Sequence, residues 1–150
     1  GSLPDLALAS SGGMGQLLGF KNVVFPARDL AASVEAWTAV LGQEPAFVGK
    51  DFAVFTGGGA EIGLSSAPWV DHPLVFWEVA EIEEAHRGLV AAGAVPLGEI
   101  ADGSLAEIGT ADVTNGDPAT GIVDVPGGRL GVLRAADGNL VGLHQAVSFA

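Results

Sequence analysis

The sequence predicts an α+β fold in which two βαβββ repeats form a curved, eight-stranded mixed sheet with the helices outside. Two observations support this prediction. The order of strand-like and helix-like segments repeats once along the chain. In addition, "VVFPARDL" at 23–30 parallels "VFWEVAEI" at 75–82, and "EIGL" at 61–64 parallels "LVGL" at 140–143. Because one half alone could not bury both a sheet face and a helix, we expect the halves to enclose a concave face, where ligands bind.

The first predicted repeat starts with the β-rich run "KNVVFPA" at 21–27 and continues into a helix. Asp29 can accept the free amides of the first helical turn, and Gly42 is typical of a residue that ends a helix. Apolar side chains recur with helical spacing at Leu30, Val34, Trp37 and Leu41. Three short strands separated by glycines follow in the segments "PAFVG", "DFAVFTGG" and "AEIGLSS".

The second predicted repeat has the same order. The strand "PLVFWEVA" at 73–80 leads into the helix "EIEEAHRGLVAAG", which Gly93 ends. The strand "AVPLGEI" follows, and residues from about 101 to 120 are rich in Gly, Asp and Thr and are typical of a loop. The last three strands are predicted in the segments "TGIVDV", "GRLGVLRA" and "NLVGLHQ".

The length of 150 residues fits one domain. We expect residues 1–13 to be a tag or a disordered leader and residues 14–150 to be the domain, with repeat one at about 19–66 and repeat two at about 70–147. No apolar run reaches the roughly 18 residues of a membrane span. The opening segment also lacks the basic region of a secretory signal, so the sequence predicts a cytoplasmic protein without a membrane partner.

The composition excludes several classes of chemistry. The chain has no cysteine, which rules out disulfides, thiolate nucleophiles and cysteine-based zinc sites. Its net charge is −12, with only six Lys and Arg, so it lacks the basic surface that a nucleic-acid binder needs. A partner selected by charge would be cationic or neutral, although an acidic surface also serves solubility alone.

Three segments together carry a resemblance to a known family, and they cover most of the chain from Phe20 to Gln145. They are "VVFPARDLAASVEAWTAVLG", "VFWEVAEIEEAHRGLVAAG" and the closing hairpin "PGGRLGVLRAADGNLVGLHQ". In order and spacing they resemble the vicinal oxygen chelate superfamily of glyoxalases, bleomycin-resistance proteins and extradiol dioxygenases. The family often has Asp-Pro before its closing Asp-Gly-Asn, where this chain has Ala135-Ala136. Asp137-Gly138 still supports the turn.

The resemblance also implies where a metal would bind. Metal-dependent members use His, Gln or Glu at four inward positions, which correspond here to Asn22, Gly63, Leu74 and Gly142. Because leucine and glycine offer no side-chain donor, we expect no metal, no cofactor and no catalytic residues of the family type. A rearranged cluster of His72, His144 and Glu61 is an alternative, but we favour surface histidines that each make one hydrogen bond. His86, on the predicted helix, is expected to be structural.

Alternation along the strands extends this inward face beyond the four positions. Glu78 shares a face with Leu74 and Phe76 and points either into the cavity or, at the strand end, into solvent. Trp69 lies between the repeats, where packing and ligand stacking are both open to it. Trp77 is expected to pack under a helix, and Trp37, on the helix stripe, is expected to lie in the core. The predicted ligand-binding residues are Asn22, Val24, Glu61, Gly63, Trp69, His72, Leu74, Phe76, Glu78, Leu140, Gly142 and His144.

The predicted function is metal-independent binding of a small molecule. The resemblance is greatest to the antibiotic-sequestering resistance branch, whose homodimers bind a drug without reacting with it. We therefore expect a homodimer that binds a planar aromatic or cationic, antibiotic-like ligand. The alternative is an enzyme of the glyoxalase type, a lyase, isomerase or dioxygenase with a non-standard metal set or a metal-free proton shuttle. A structural or regulatory relative that binds nothing is a third possibility.

Overall fold

The structure is a computed structural model that describes residues 17–57 and 60–147. Its helices are α1 (Leu30–Leu41) and α2 (Ile82–Ala91). Its strands are β1 (Leu17–Pro26), β2 (Phe47–Val48), β3 (Phe52–Gly57), β4 (Ala60–Ser65), β5 (Leu74–Val79), β6 (Val95–Glu99), β7 (Leu105–Glu107), β8 (Val123–Val125), β9 (Gly128–Arg134) and β10 (Leu140–Ala146). Parallel and antiparallel pairs both occur, so the predicted mixed α+β class is confirmed.

The chain divides into two compact units. The N-terminal unit is Lys21–Phe76, and the described part of the C-terminal unit is 17–20 with 77–147. Neither helix in the described part of the chain is long and apolar enough to cross a membrane.

Helix α1 begins and ends where the sequence predicts. Oδ1 of Asp29 accepts the backbone amide of Ala32 at 3.1 Å. At the other end Gly42 has φ 68° and donates its amide to the carbonyl of Thr38. This left-handed conformation suits glycine because it carries no Cβ. The apolar stripe of α1 packs against the core of the N-terminal unit, which is formed by Ala27, Ala53, Phe55 and Leu64.

The sheet of the N-terminal unit runs in the order β2-β3-β4-β1. β1 and β4 are parallel, whereas β2–β3 and β3–β4 are antiparallel. Since alternate residues of a strand face opposite sides, the packing of Ala53, Phe55 and Leu64 on α1 turns Val24 and Gly63 away from the helix. We call this side, and its equivalent in the C-terminal unit, the helix-distal face.

Helix α2 belongs to the C-terminal unit and is capped from a distance. Glu81 precedes the helix and makes no side-chain cap. The amide of Ile82 is bound instead by Oε1 of Gln145, on β10, at 2.8 Å. Gly93 follows the helix with φ 104°, as its predicted role in ending the helix requires. The core cluster beneath α2 consists of Val79, Ile82, Ala85, Ile122, Leu133 and Leu143.

Strand β9 organises the sheet of the C-terminal unit. It pairs with β10 along its whole length, with β8 through its first residues and with β6 through its last. β7 pairs with β6 at the edge. Because Leu133 and Leu143 pack under α2, their neighbours Val132, Gly142 and His144 lie on the helix-distal face. Trp77 packs against the same cluster, as predicted, and its ring stacks on Phe20 with centroids 4.5 Å apart.

Two sequence predictions differ from the structure or lie outside it. The described residues contain ten strands, not eight, and one of them, β7, lies in the segment predicted as a loop at about 101–120. Its three residues carry too short a pattern to be recognised before β6 supplies their partners. The predicted leader at 1–13 lies outside the described residues. The predicted turn at Asp137-Gly138 is present, and Gly138 has φ 96°.

Candidate functional site

Four predicted binding residues lie on the helix-distal face of the N-terminal unit. They are Asn22 and Val24 on β1, and Glu61 and Gly63 on β4. The parallel register places Val24 beside Gly63. One step earlier, Nδ2 of Asn22 donates to Oε1 of Glu61 at 3.3 Å. Strand alternation therefore placed these four residues correctly on one side of the sheet, and the pairing of β1 with β4 makes them neighbours.

The Asn22 side chain has one unsatisfied atom. Its Oδ1 is buried and has no hydrogen-bond partner among the described residues. Turning the amide over would set Oδ1 against the Glu61 carboxylate, so the present orientation is fixed by charge. Lys21 Nζ holds the other oxygen of Glu61 at 3.3 Å. A buried acceptor without a partner costs about 1–3 kcal/mol, and a bound N–H or O–H group would remove that cost.

The space above Gly63 is occupied by an aromatic ring. A Cβ built there would lie 2.8 Å from Cζ of Phe52 and 3.2 Å from Cγ2 of Val24. The ring of Phe52 thus covers the glycine and makes an aromatic surface at this point. Sequence reasoning missed Phe52, although its position two residues before Val54, the register partner of Gly63, places it on the same face.

Val24 and two further predicted residues, Leu74 and Phe76, are buried. Val24, Leu74 and Phe76 are 4%, 3% and 4% exposed. Their apolar side chains contribute burial, and none of them carries a polar group that could orient a ligand. These residues can therefore contribute only apolar surface to a binding site.

The loop before β5 holds the remaining two predicted residues of this unit. His72 is exposed, and its Nδ1 lies 2.6 Å from Oδ1 of Asp71. This is the surface histidine with one hydrogen bond that the sequence favoured. Trp69 is half-buried in a turn after β4.

In the C-terminal unit, Glu78 and His144 form a pair that the sequence did not connect. Nδ1 of His144 lies 2.9 Å from Oε1 of Glu78, and Oε2 of Glu78 accepts the amide of Ala146 at 3.1 Å. The two side chains are only 12% and 25% exposed. Since 66 residues separate them, no local pattern could have joined them. Glu78 is thus a half-buried, hydrogen-bonded carboxylate and not the exposed one that was the second possibility.

The far side of the His144 ring lies against a glycine. A Cβ built on Gly128, in β9, would come within 2.6 Å of Nε2. Gly128 has no positive φ, so its backbone conformation would accept any residue, and glycine is required by the close approach of the ring and of the Gln145 carbonyl oxygen. Nε2 has no hydrogen-bond partner among the residues that the structure describes.

Leu140 and Gly142 complete the predicted set. They lie on β10 opposite Arg134 and Val132 of β9. Gly142 is buried and shares its face with His144, as alternation predicted.

The third histidine is structural, as expected. His86 is 4% exposed, and its Nε2 donates to the carbonyl of Thr120 at 3.0 Å. Burial lowers the pKa of His86 below its ordinary value of 6.5, although the bond to Thr120 opposes that shift. The neutral imidazole therefore fastens α2 to the loop before β8.

The donor set does not fit a metal of the family type. At the four corresponding positions Asn22 has one free oxygen, Gly63 is covered by a ring, Leu74 is apolar and Gly142 has no side chain. Divalent ions need three or four N, O or S donors from the protein. In the described part of the chain, no group of three or more His, Asp or Glu side chains could hold an ion either. The alternative His72, His144 and Glu61 cluster gains no support, because each of these side chains has its own neighbouring partner.

A cavity of about 320 Å³ lies where β1 and β4 end, away from most predicted residues. Its polar lining includes Arg28, Ser65 and Asp71. These residues come from the bend before α1, the end of β4 and the segment before β5, which share no motif, so the sequence did not indicate this cavity. A second cavity, of about 310 Å³, lies in the loop segment 109–113 with Pro118.

Of the comparisons with known proteins, the one with solved structures bears on the fold. No protein-family model matches the sequence, and no curated protein matches it. Among solved structures, a glyoxalase/bleomycin resistance protein/dioxygenase superfamily member from Vibrio splendidus has a TM-score of 0.52 at 15% identity, covering 85% of this chain and 99% of its own. Methylmalonyl-CoA epimerase from Mycobacterium tuberculosis has a TM-score of 0.57 at 16% identity, covering 89% and 91%.

A third similar structure is the Mn(II)-bound glyoxalase from Novosphingobium aromaticivorans. Its TM-score is 0.54 at 18% identity, over 90% of this chain and 43% of the glyoxalase. The chain thus has the fold of the vicinal oxygen chelate superfamily, and the resemblance found in the sequence is confirmed at the level of the fold. At these identities the shared fold does not carry an activity or a substrate with it.

Proposed function

We propose that the protein binds a small molecule without a metal, on the helix-distal faces of its sheets, and sequesters an antibiotic-like ligand. The observation that carries this proposal is the loss of donors at all but one of the four family metal positions. A superfamily fold whose metal positions hold Asn22, Gly63, Leu74 and Gly142 retains a surface for binding and lacks the side-chain donors that would hold an ion for the family's chemistry.

The chemistry of these faces supports a neutral or cationic ligand with hydrogen-bond donors. Asn22 Oδ1 is an unused acceptor, and Glu61 beside it is an acceptor as well. The Phe52 ring offers a face for stacking, which contributes about 0.5–1.5 kcal/mol beyond burial for a good aromatic pair. A chain with net charge −12 would repel an anionic ligand at long range.

The proposal includes the architecture and setting that the sequence predicts. We take the elements β1-α1-β2-β3-β4 as one βαβββ repeat and the elements from β5 to β10 as the second, with two additional short strands. We also place the protein in the cytoplasm as a homodimer.

One observation favours a second candidate, a metal-free enzyme of the glyoxalase or epimerase kind. A carboxylate that fixes one nitrogen of a histidine while the other is unbound is the arrangement of a general base. Two of the similar structures, an epimerase and a glyoxalase, are enzymes.

Metal analysis and a ligand screen test the proposed function together. After dialysis against Mn²⁺, Zn²⁺ and Ni²⁺ in turn, elemental analysis should find well under one ion per chain. Thermal-shift measurements with bleomycin-type, enediyne and quinoxaline-type compounds should then show stabilisation that grows with ligand concentration. Stoichiometric metal would refute metal-independent binding, and no shift with any planar or cationic compound would refute the ligand class.

A further inference from the structure

We propose that Glu78 and His144 form a hydrogen-bond acceptor site in which Nε2 of His144 receives an N–H or O–H group of the ligand. This inference rests on the proposed function, because it names the atom on the helix-distal face of the C-terminal unit that recognises the ligand. The site would accept a hydrogen bond from the ligand, a property that neither the fold nor the resemblance predicts.

The carboxylate determines which nitrogen of His144 carries the hydrogen. Ionised Glu78 can only accept, so the 2.9 Å contact requires Nδ1 of His144 to donate. In a neutral imidazole the other nitrogen then has a lone pair and no hydrogen. Nε2 is therefore an acceptor, and it has no partner among the described residues.

The pair is held rigidly, as a recognition site must be. Oε2 of Glu78 is bound by the amide of Ala146, so neither carboxylate oxygen is free to turn. His144 is fixed on β10 and is 12% exposed at its side chain, which leaves a narrow approach to the ring. On the other side Gly128 allows the ring to lie directly against β9. A side chain at Gly128 would occupy the space beside Nε2.

The charge of the Glu78–His144 pair further restricts which ligands can bind. With the imidazole neutral and the carboxylate ionised, the pair carries one negative charge, which favours neutral or cationic donors and disfavours anions. A phenol, an indole N–H, an amide N–H or a protonated amine fits this description. A group without a hydrogen to donate, such as a methyl ether, does not.

The variant Glu78→Gln should reverse the polarity of the site. The amide of Ala146 still requires an oxygen, so the glutamine carbonyl should stay on that side and its NH₂ should face Nδ1 of His144. Nδ1 then has to accept, and the hydrogen moves to Nε2. Long-range ¹H–¹⁵N spectra of histidine-labelled protein report this directly, because the chain has only three histidines. The control is Glu84→Gln, an exposed glutamate on α2.

Phenol and its methyl ether, anisole, serve as matched probes. In the wild type and in Glu84→Gln, phenol should shift the Nε2 signal of His144 saturably and bind about two- to tenfold more tightly than anisole, as expected for one net hydrogen bond. In Glu78→Gln this preference should disappear, because Nε2–H can donate to either oxygen.

Three results would overturn the inference. They are a hydrogen on Nε2 in the wild type, no response of Nε2 to phenol, and an unchanged preference in Glu78→Gln. If the variant does not fold, the first two measurements on the wild type still decide. If a screened natural product binds the wild type and Glu78→Gln equally, the acceptor site fails while the proposed function stands; if no compound binds the wild type, the proposed function itself fails.

Discussion

Replacing Gly128 with alanine should destabilise the protein by crowding His144. The added Cβ would lie 2.6 Å from Nε2 of His144 and 2.9 Å from the carbonyl oxygen of Gln145. The imidazole could move, but the carbonyl belongs to the backbone of β10, which pairs with β9 on both sides of this point. Either the ring leaves Glu78 or the two strands separate slightly.

Each of these two rearrangements lowers the free energy of unfolding. Overpacking of this kind costs about 1–3 kcal/mol, and the loss of the hydrogen bond to Glu78 would add about 0.5–1.5 kcal/mol. Alanine recovers about 0.4–1 kcal/mol by restricting the unfolded chain. We expect a net loss of about 0.5–4 kcal/mol in the free energy of unfolding, or about 2–4 °C in Tm for each kcal/mol.

Urea denaturation measures this loss, and Gly131→Ala is the matched control. Gly131 is buried on the same strand, and the three atoms nearest to a Cβ there are side-chain carbons, the first at 3.3 Å, so its variant should lose less stability than Gly128→Ala. The reasoning is refuted if Gly128→Ala is as stable as the wild type, or if Gly131→Ala loses more.

Three further predictions follow from described contacts. Asp29→Ala removes the cap on the Ala32 amide and should cost about 1 kcal/mol by urea denaturation, whereas Asp29→Asn should cost less. Because burial lowers the pKa of His86, the unfolded chain binds more protons, so the free energy of unfolding should fall as the pH drops below 6.5; equal slopes in the wild type and His86→Gln would contradict this. Gly142→Phe should abolish binding of a ligand found by thermal shift while Gly142→Ala retains it, and wild-type affinity in the phenylalanine variant would place the site elsewhere.

Short sequence patterns predicted the helices and most strands, because the residues that define each one lie within a few positions of one another. Asp29 and Gly42 bound α1 through contacts that span one turn. Helix α2 shows where such rules end. Its first amide is satisfied by Gln145, which is 63 residues away, so the sequence around Glu81 contains no cap to recognise. The start of α2 was still predicted because its apolar periodicity did not depend on the cap.

The sequence predicted which side of the sheet the candidate residues face, but not which side chains they contact. Period-two alternation placed Asn22, Glu61 and His144 away from the helices, which the packing of the cores bears out. Alternation does not say which strands are neighbours or which rotamers fill a gap. The ring of Phe52 over Gly63 and the Glu78–His144 pair both depend on such information.

The last three residues of β10 connect this strand to β5 and to α2 in the C-terminal unit. His144 binds Glu78, Gln145 binds the first amide of α2, and the amide of Ala146 binds Glu78 again. During synthesis, α2 leaves the ribosome more than fifty residues before these partners exist. This unit can therefore complete its hydrogen bonding only after position 146 has emerged, and ribosomes stalled earlier should carry a nascent chain in which α2 remains open to proteases.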